Sequence, residues 1–293
     1  VMPPAITAAA HAKINLFLHV VGRRPAGYHL IESLVAFADA HDVVSVRPAD
    51  GLRLSVDGPF ADELDGPVEH NLVHRAATGL QAAYAISDGA DIRLTKNLPV
   101  ASGIGGGSAD AAAALLALCR LWNIDPDQRR LADLGLALGA DVPVCLAGTP
   151  ALVSGIGETV VPLSALPPCG ILLVNPRVAL STAAVFRTRI DRFSVPRLPG
   201  GNLIGEIASA AELARFLSLY DNDLAEAAIR LAPDIAPTLD AIAATPGCLL
   251  ARLSGSGATC FGLYESAGLA EAAATRVAAE HPAWWIAPGR LRG

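Results

Sequence analysis

Apolar and polar residues alternate along His11–Gly22, with Ile14, Leu16 and Leu18 on one side. This period of two predicts a strand closed by Gly22. Further strands are predicted over 42–47, 52–56 and 90–95, the last running into a loop from Asn97 to Gly107. Residues 71–85 read as a helix. A second helix is expected to begin near Ser108 and continue through Ala109–Trp122, since Ala and Leu are strong helix formers. It is apolar almost all round, which predicts burial on most faces. The next helix has a start signal, with Asp125 as N-cap, Pro126 in the first turn and Gln128 at the capping-box position. Leu131, Leu134 and Leu138 give it an apolar face and Gly139 a C-terminal cap. Strands are expected near 171–174, 248–254 and 259–264, and helices near 222–231 and 267–280. Residues 191–205 carry Pro and Gly without periodicity and read as a loop. Gly and Pro crowd 155–170, which is expected to be a hinge between an N-terminal domain, 1–157, and a C-terminal domain, 158–293.

A chain of 293 residues has room for two such domains. With 52% hydrophobic and 17% charged residues it can build a substantial interior, and disorder is not expected. The net charge of −6 argues against a nucleic-acid partner, because phosphate neutralisation needs a basic face. An anionic ligand must therefore be held by backbone dipoles and a few placed cations. The five cysteines lie far apart with no CxxC pair, so zinc-finger and thioredoxin readings fail. Their odd number fits reduced thiols in a cytoplasmic protein. The N-terminal residues lack a signal-peptide pattern, and no apolar run approaches the ~18 residues of a spanning helix, so no membrane partner is expected.

The strongest local signal is Pro99-Val-Ala-Ser-Gly-Ile-Gly-Gly-Gly-Ser-Ala109, between a strand and a long helix. Glycines let a ligand approach the backbone, and successive N–H groups ahead of a helix N-terminus suit phosphate oxygens. A Walker A loop would need Gly-Lys-Ser/Thr, and a dinucleotide fingerprint would need Gly where Ser108 stands. A plain linker would have little use for four glycines before a strong helix. A second cluster, Leu253-Ser-Gly-Ser-Gly-Ala-Thr-Cys-Phe261, is equally explained by a tight turn between buried strands.

Two ionisable residues sit in apolar segments. Lys13 lies within the first strand, where snorkelling to solvent is the plain alternative to a task. Asp141 follows the Gly139 cap and precedes Pro143, where capping the next turn is the plain alternative. Together with a phosphate loop they make a phosphoryl-transfer set: Asp takes the acceptor proton, and Lys stabilises developing charge. His70 and His74 lack an HExxH pattern and read as surface or capping residues.

Taken together, Ala12-Lys-Ile-Asn-Leu16, Pro99–Ala109 and Leu253–Phe261, in this order along nearly the whole chain, resemble the GHMP kinases. Arg24-Pro-Ala-Gly-Tyr-His29, Leu138-Gly-Ala-Asp-Val-Pro143 and Asn175-Pro-Arg-Val-Ala-Leu-Ser-Thr182 are similar to the branch of that family acting on a cytidine-diphosphate-linked polyol. The resemblance implies an α+β, two-domain fold, with a left-handed βαβ unit in the N-terminal domain and a ferredoxin-like C-terminal domain. It implies an ATP-dependent small-molecule kinase with Mg²⁺ as cofactor, its ligands left open, with Ser108 and Asp110 the residues considered. The transfer implied is to the 2-hydroxyl of 4-diphosphocytidyl-2-C-methyl-D-erythritol, in the non-mevalonate route to isoprenoid precursors. By motif, Asp141 would be the base and Lys13 its partner. Pro99, Val100, Ala101, Ser102, Gly103, Ile104, Gly105, Gly106, Gly107, Ser108 and Ala109 would cradle ATP, with Asn71 and Lys96 near the adenine. Asn15 would contact the methylerythritol, Tyr28 and Phe186 would stack on cytosine, His29 would bond its edge, and Thr182 would touch the diphosphate. Val35 departs from an aromatic expected beside the cytidine pocket. The rival readings are a homoserine- or mevalonate-type GHMP kinase, a non-catalytic nucleotide-binding protein on the same fold, and a dehydrogenase. A substrate without a base has no use for Tyr28, His29 and Phe186. A non-catalytic protein has none for Lys13 with Asp141.

Overall fold

The first two strands are much longer than their sequence pattern. In the computed structural model, which describes residues 4–25, 27–190 and 192–292, β1 spans Ile6–Arg23 and β2 spans His29–Ala49. Ala26 of the Arg24–His29 segment and the chain-end residues of the two expected domains, 1–3 and 293, lie outside the described residues. The first half of β2 escapes a period-two reading for a physical reason. Leu34, Val35, Ala36, Phe37 and Ala38 are all buried, and a strand covered on both faces has no alternation to show.

The chain forms two compact units. One takes residues up to Ala12, His41–Val100 and Gly105–Gly148; the other takes Lys13–Ala40, Ala101–Ile104 and residues from Thr149 onward. In the first, β3 (Leu52–Asp57) pairs in parallel with β4 (Gly89–Thr95), and α1 (Leu72–Tyr84) connects them as a βαβ unit. The end of β2 runs antiparallel to β4, with Val43 opposite Thr95 and Ala49 opposite Gly89. Asn71 caps α1, its side chain accepting the Val73 N–H at 2.9 Å. α2 (Gly106–Leu121) packs on α1 and on α4 (Val142–Ala147), with α3 (Gln128–Leu138) between them in the chain.

The start of α3 corrects the sequence reading. Asp127, not Asp125, is the N-cap, accepting the Arg130 N–H at 3.0 Å, and Gln128 is the first helical residue. Two aspartates two residues apart offer two registers. The later one wins because its carboxylate reaches a backbone donor three residues on. Gly139 closes the helix as expected.

In the second unit, β5 (Ala151–Gly155) and β6 (Thr159–Pro162) form a hairpin, and β5 pairs with the start of β2. The glycines expected to mark a hinge, Gly155 and Gly157, make that hairpin turn at φ of 74° and 119°. A cut after residue 157 therefore falls inside a hairpin of this unit. After β7 (Cys169–Asn175) come α5 (Thr182–Thr188), α6 (Gly201–Gly205), α7 (Ala210–Leu217), α8 (Ala225–Leu231) and α9 (Ile235–Ala243). Then follow β8 (Leu250–Leu253), β9 (Cys260–Tyr264), α10 (Ala267–Glu280) and β10 (Trp285–Arg292). The strands lie in the order β10-β7-β9-β8, all neighbours antiparallel, which is the split βαββαβ arrangement of a ferredoxin-like sheet. The segment expected to be a loop, 191–205, ends in α6. The five cysteines are free thiols, and among the described residues no helix is long and apolar enough to cross a membrane.

The cap correction can be tested by substitution. Asp127→Ala should lower unfolding free energy by about 1 kcal/mol, while Asp125→Ala should cost a few tenths at most. Denaturant melts of the two variants check this. The reverse ranking would restore the capping box at 125.

Candidate active site

β1 carries the first set of site residues on one face. Lys13 and Asn15 are spaced by two and are 4% and 3% exposed, so the lysine does not snorkel. The Lys13 ammonium donates to Asn15 Oδ1 at 2.9 Å, and Asn15 Nδ2 donates to Ser33 Oγ of β2 at 2.8 Å. Ser33 Oγ donates in turn to the Phe17 carbonyl at 2.6 Å. Each member of this buried row therefore has its rotamer fixed by the next.

The same unit holds Ala101–Ile104 of the glycine loop, and here the second glycine cluster finds its use. The Lys13 N–H donates to the Ile104 carbonyl at 2.9 Å, and the Thr259 N–H donates to the Ser102 carbonyl at 3.0 Å. Ser254 Oγ donates to the Gly103 carbonyl and accepts the Asn15 N–H, both at 3.2 Å. Gly103 has φ of 77°, and a Cβ there would stand 2.6 Å from the Gly257 nitrogen and the Ser254 carbonyl oxygen. Only glycine allows this approach of two backbones. Thr259 also accepts from Asn175 Nδ2 at 2.9 Å, and Thr182 and Ser256 share a hydroxyl hydrogen bond of 2.8 Å.

The first unit holds the rest of the loop. Pro99 and Val100 follow β4, and Gly105, left-handed at φ of 63°, is the N-cap of α2, which opens with Gly106, Gly107, Ser108 and Ala109. At the base of this segment lies a buried ion cluster. Lys96 is 2% exposed, and its ammonium donates to Asp42 Oδ2 and, at 2.8 Å, to Asp110 Oδ2 of α2. Burial works against the Lys96 charge, but the Asp110 and Asp42 carboxylates outweigh it and hold its pKa above the usual value. Burial pushes Asp110 up to about 7; Lys96 opposes that rise and Asp42 adds to it. The reason is arithmetic: two carboxylates share one ammonium away from water. Lys96, expected on the adenine side, spends its charge inside the protein.

Asp141 directly precedes α4 and does not use its side chain to cap that helix. Its carbonyl accepts the Cys145 N–H at 3.2 Å. The capping alternative raised by the sequence therefore does not account for this carboxylate.

In the second unit the rings of His29 and Phe186 stack at 4.8 Å between centroids and 23° between planes. Phe186 lies in α5 beside Val185, which belongs to the core. Tyr28 is 62% exposed, next to His29. Thr182 is the first residue of α5. Val35 is 1% exposed in β2, opposite Ala151 of β5, so it serves the core of this sheet.

The family model described as GHMP kinases N terminal domain matches residues 71–149, and that described as GHMP kinases C terminal matches residues 203–283. The chain belongs to the GHMP kinases. A GHMP kinase relative from Paramagnetospirillum magneticum is 51% identical over 96% of this chain and 97% of its own length. One from Cereibacter sphaeroides is 52% identical over 98% of this chain and 99% of its own. Both bear the name 4-diphosphocytidyl-2-C-methyl-D-erythritol kinase. A crystal structure of 4-(cytidine 5'-diphospho)-2C-methyl-D-erythritol kinase superposes with a TM-score of 0.80 at 33% identity, covering 98% of this chain and 99% of that one. A homoserine kinase from Cytophaga hutchinsonii, at 20% identity and a TM-score of 0.75, shares the fold. The α+β, two-domain GHMP kinase fold implied by the motifs is the fold of this chain.

Several residues of this GHMP kinase site were not legible beforehand. Asp110 was considered for Mg²⁺ and not for the Lys96 ion pair, although a carboxylate in a helix apolar all round requires a partner. Ser254, Ser256 and Thr259 lay in a cluster whose turn chemistry alone was sufficient explanation. Asp42 and Ser33 gave no signal, because their partners are distant in sequence, and Asn175 stood in a quoted motif without a role. Among the described residues, no group of three His, Cys, Asp or Glu could hold a metal ion by itself.

The shared ammonium makes a pH prediction. Asp110 rises from its ordinary 3.8 to about 7 in the folded chain, so its contribution to stability is present below pH 3.8 and is lost as pH rises through 7. Asp110→Asn removes that dependence. Unfolding free energies measured between about pH 4 and pH 8 should show wild type losing ground to the variant as pH rises. Parallel pH profiles would contradict the assignment.

Proposed function

We propose that this chain is an ATP-dependent kinase that phosphorylates the 2-hydroxyl of 4-diphosphocytidyl-2-C-methyl-D-erythritol, in the cytoplasm, on the non-mevalonate route to isoprenoid precursors. The observation that carries the reading is identity near one half, over almost the full length, to relatives named for this substrate. The stacked rings of His29 and Phe186, with the exposed Tyr28 next in the chain, support it, since a nucleobase is recognised by stacking plus edge hydrogen bonds. Homoserine and mevalonate offer no such base.

In this reading the backbone N–H groups of the glycine loop and the N-terminus of α2 hold the ATP phosphates. Asn71 and Lys96 belong to the adenine end. Tyr28 and Phe186 stack on cytosine while His29 bonds its edge. Thr182 lies by the diphosphate, and Asn15 orients the methylerythritol. Asp141 accepts the proton of the 2-hydroxyl as that oxygen bonds to the γ-phosphorus and the bond to the β–γ bridging oxygen breaks, releasing ADP. Lys13 stabilises the charge on the transferred group. Mg²⁺ neutralises phosphate charge when bound.

Purified protein given ATP, Mg²⁺ and, separately, the cytidyl substrate, homoserine and mevalonate should release ADP with the first alone. ADP release with homoserine or mevalonate and none with the cytidyl compound would refute the reading.

Asp141→Asn keeps shape but cannot take the proton, and should lower kcat roughly 10²–10⁴-fold with little change in substrate binding. Combining it with Lys13→Met should cost far less than the product of the single losses. Near wild-type single-turnover rates in folded Asp141→Asn would remove Asp141 as base. Tyr28→Ala and Phe186→Ala should each weaken the cytidyl substrate by about 1–3 kcal/mol while ATP binding stays put. Calorimetric titration with each ligand separates the two, and equal loss for both would misplace the cytosine pocket.

A further inference from the structure

Lys96 is expected at the adenine end, yet it is buried and bonded within the protein. Its ammonium is held by Asp42 and Asp110, its N–H donates to the Asp57 carbonyl at 2.7 Å, and its carbonyl accepts the Phe60 N–H at 3.2 Å. The residue that organises this arrangement is Asp42, which is fully buried at the start of the β2 segment paired with β4. Its two oxygens divide the work. Oδ1 accepts the backbone N–H groups of Asn97 at 2.6 Å and Leu98 at 2.8 Å, and Oδ2 accepts the Lys96 ammonium. The Asn97 side chain returns the bond, Nδ2 donating to the His41 carbonyl at 3.1 Å.

Those backbone donors lie where the chain leaves β4 for the glycine loop, and Asp110 lies in the helix where the loop ends. The two ends of the loop are thus tied through one carboxylate and one ammonium. Gly106 seals the tie: a Cβ there would rest 3.5 Å from Lys96 Nζ and 3.7 Å from Asp42 Oδ2. The face of Gly106 that a side chain would occupy is therefore turned to the ion cluster.

We propose that Asp42 is a positioning residue for the nucleotide: with Lys96 and Asp110 it fixes the entry and exit of the glycine loop, so that the loop's N–H groups stand ready before ATP arrives. This rests on the reading of the loop as the ATP phosphate site. Asp42 touches no substrate in this role, and Lys96 serves the adenine end through the backbone it fixes. A loop whose ends are fixed gives up less freedom on binding, so loss of the tie falls on ATP.

The test is steady-state kinetics on Asp42→Asn, which leaves Lys96 and Asp110 as a balanced pair. The ATP KM should rise about tenfold or more, with the cytidyl-substrate KM within about twofold of wild type. Amide exchange at Asn97 and Leu98 should quicken in the variant. A folded Asp42→Asn with unchanged ATP KM, or with both KM values rising in parallel, overturns the proposal. Should Asp42→Asn fail to fold, Asp110→Asn is measured the same way. It frees Lys96 from α2 and should raise the ATP KM selectively, and no selective rise overturns the proposal. Wild-type protein that does not bind ATP overturns the nucleotide reading, and this inference with it.

Discussion

The contact on which much of the second unit's site depends is an approach of two backbones. Gly103 lies so close to Ser254 and Gly257 that no side chain fits between them. From that contact the rest of the row follows. Ser254, held there, receives the Asn15 N–H, and Asn15 receives the Lys13 ammonium. The loop segment, the second glycine cluster and β1 are thereby one hydrogen-bonded body. A flexible glycine run becomes a fixed one because every carbonyl from Ser102 to Ile104 accepts a bond from a well-ordered neighbour. The entropic cost that glycine carries is met by packing, not by a ligand.

In the proposed reading, an acidic protein that handles two polyanionic substrates has to solve an electrostatic problem locally. The net charge of −6 repels phosphate at long range. Lys13 is kept buried in β1, and Lys96 is spent inside the protein to hold the fold of the loop. Beyond Lys13, the glycine loop offers a phosphate backbone N–H groups and a helix end, which carry partial charge. Such a site works through geometry, so the burden shifts to whatever keeps that geometry in place.

Much of this was legible in the sequence, and the failures have physical causes. The glycine loop, α2, the strands near 52–56 and 90–95, and α10 could be read because period or composition was unmixed. The first half of β2 could not, since burial on both faces removes alternation. Gly155 and Gly157 read as a hinge because glycine marks any sharp turn, and only the pairing of Ala151–Pro162 makes the turn a hairpin. Lys13 and Asp141 were singled out by charge in apolar surroundings, and Asn15 by motif. Their partners Ser33 and Ser254 stayed hidden because a hydroxyl has no address in sequence. The ion cluster was hidden: Asp110 had been considered only for Mg²⁺, and Asp42 looked like any polar residue on a strand.

That alanine helix has a further consequence. Between Ala109 and Cys119 the buried positions of α2 are mostly Ala, with Leu115 and Leu118 as the large exceptions. Alanine has no rotamers to freeze and almost nothing to trim. Mutational drift there is thus one-sided: few substitutions can hollow the interior, whereas nearly every one enlarges it and must push α1 or α4 away. The support beneath the loop is tolerant of erosion and intolerant of growth. Variation in this stretch should consequently run through exchanges among the smallest side chains, such as Ala, Ser, Gly and Cys, while chemical diversity accumulates on the outer face at Arg120 and beyond.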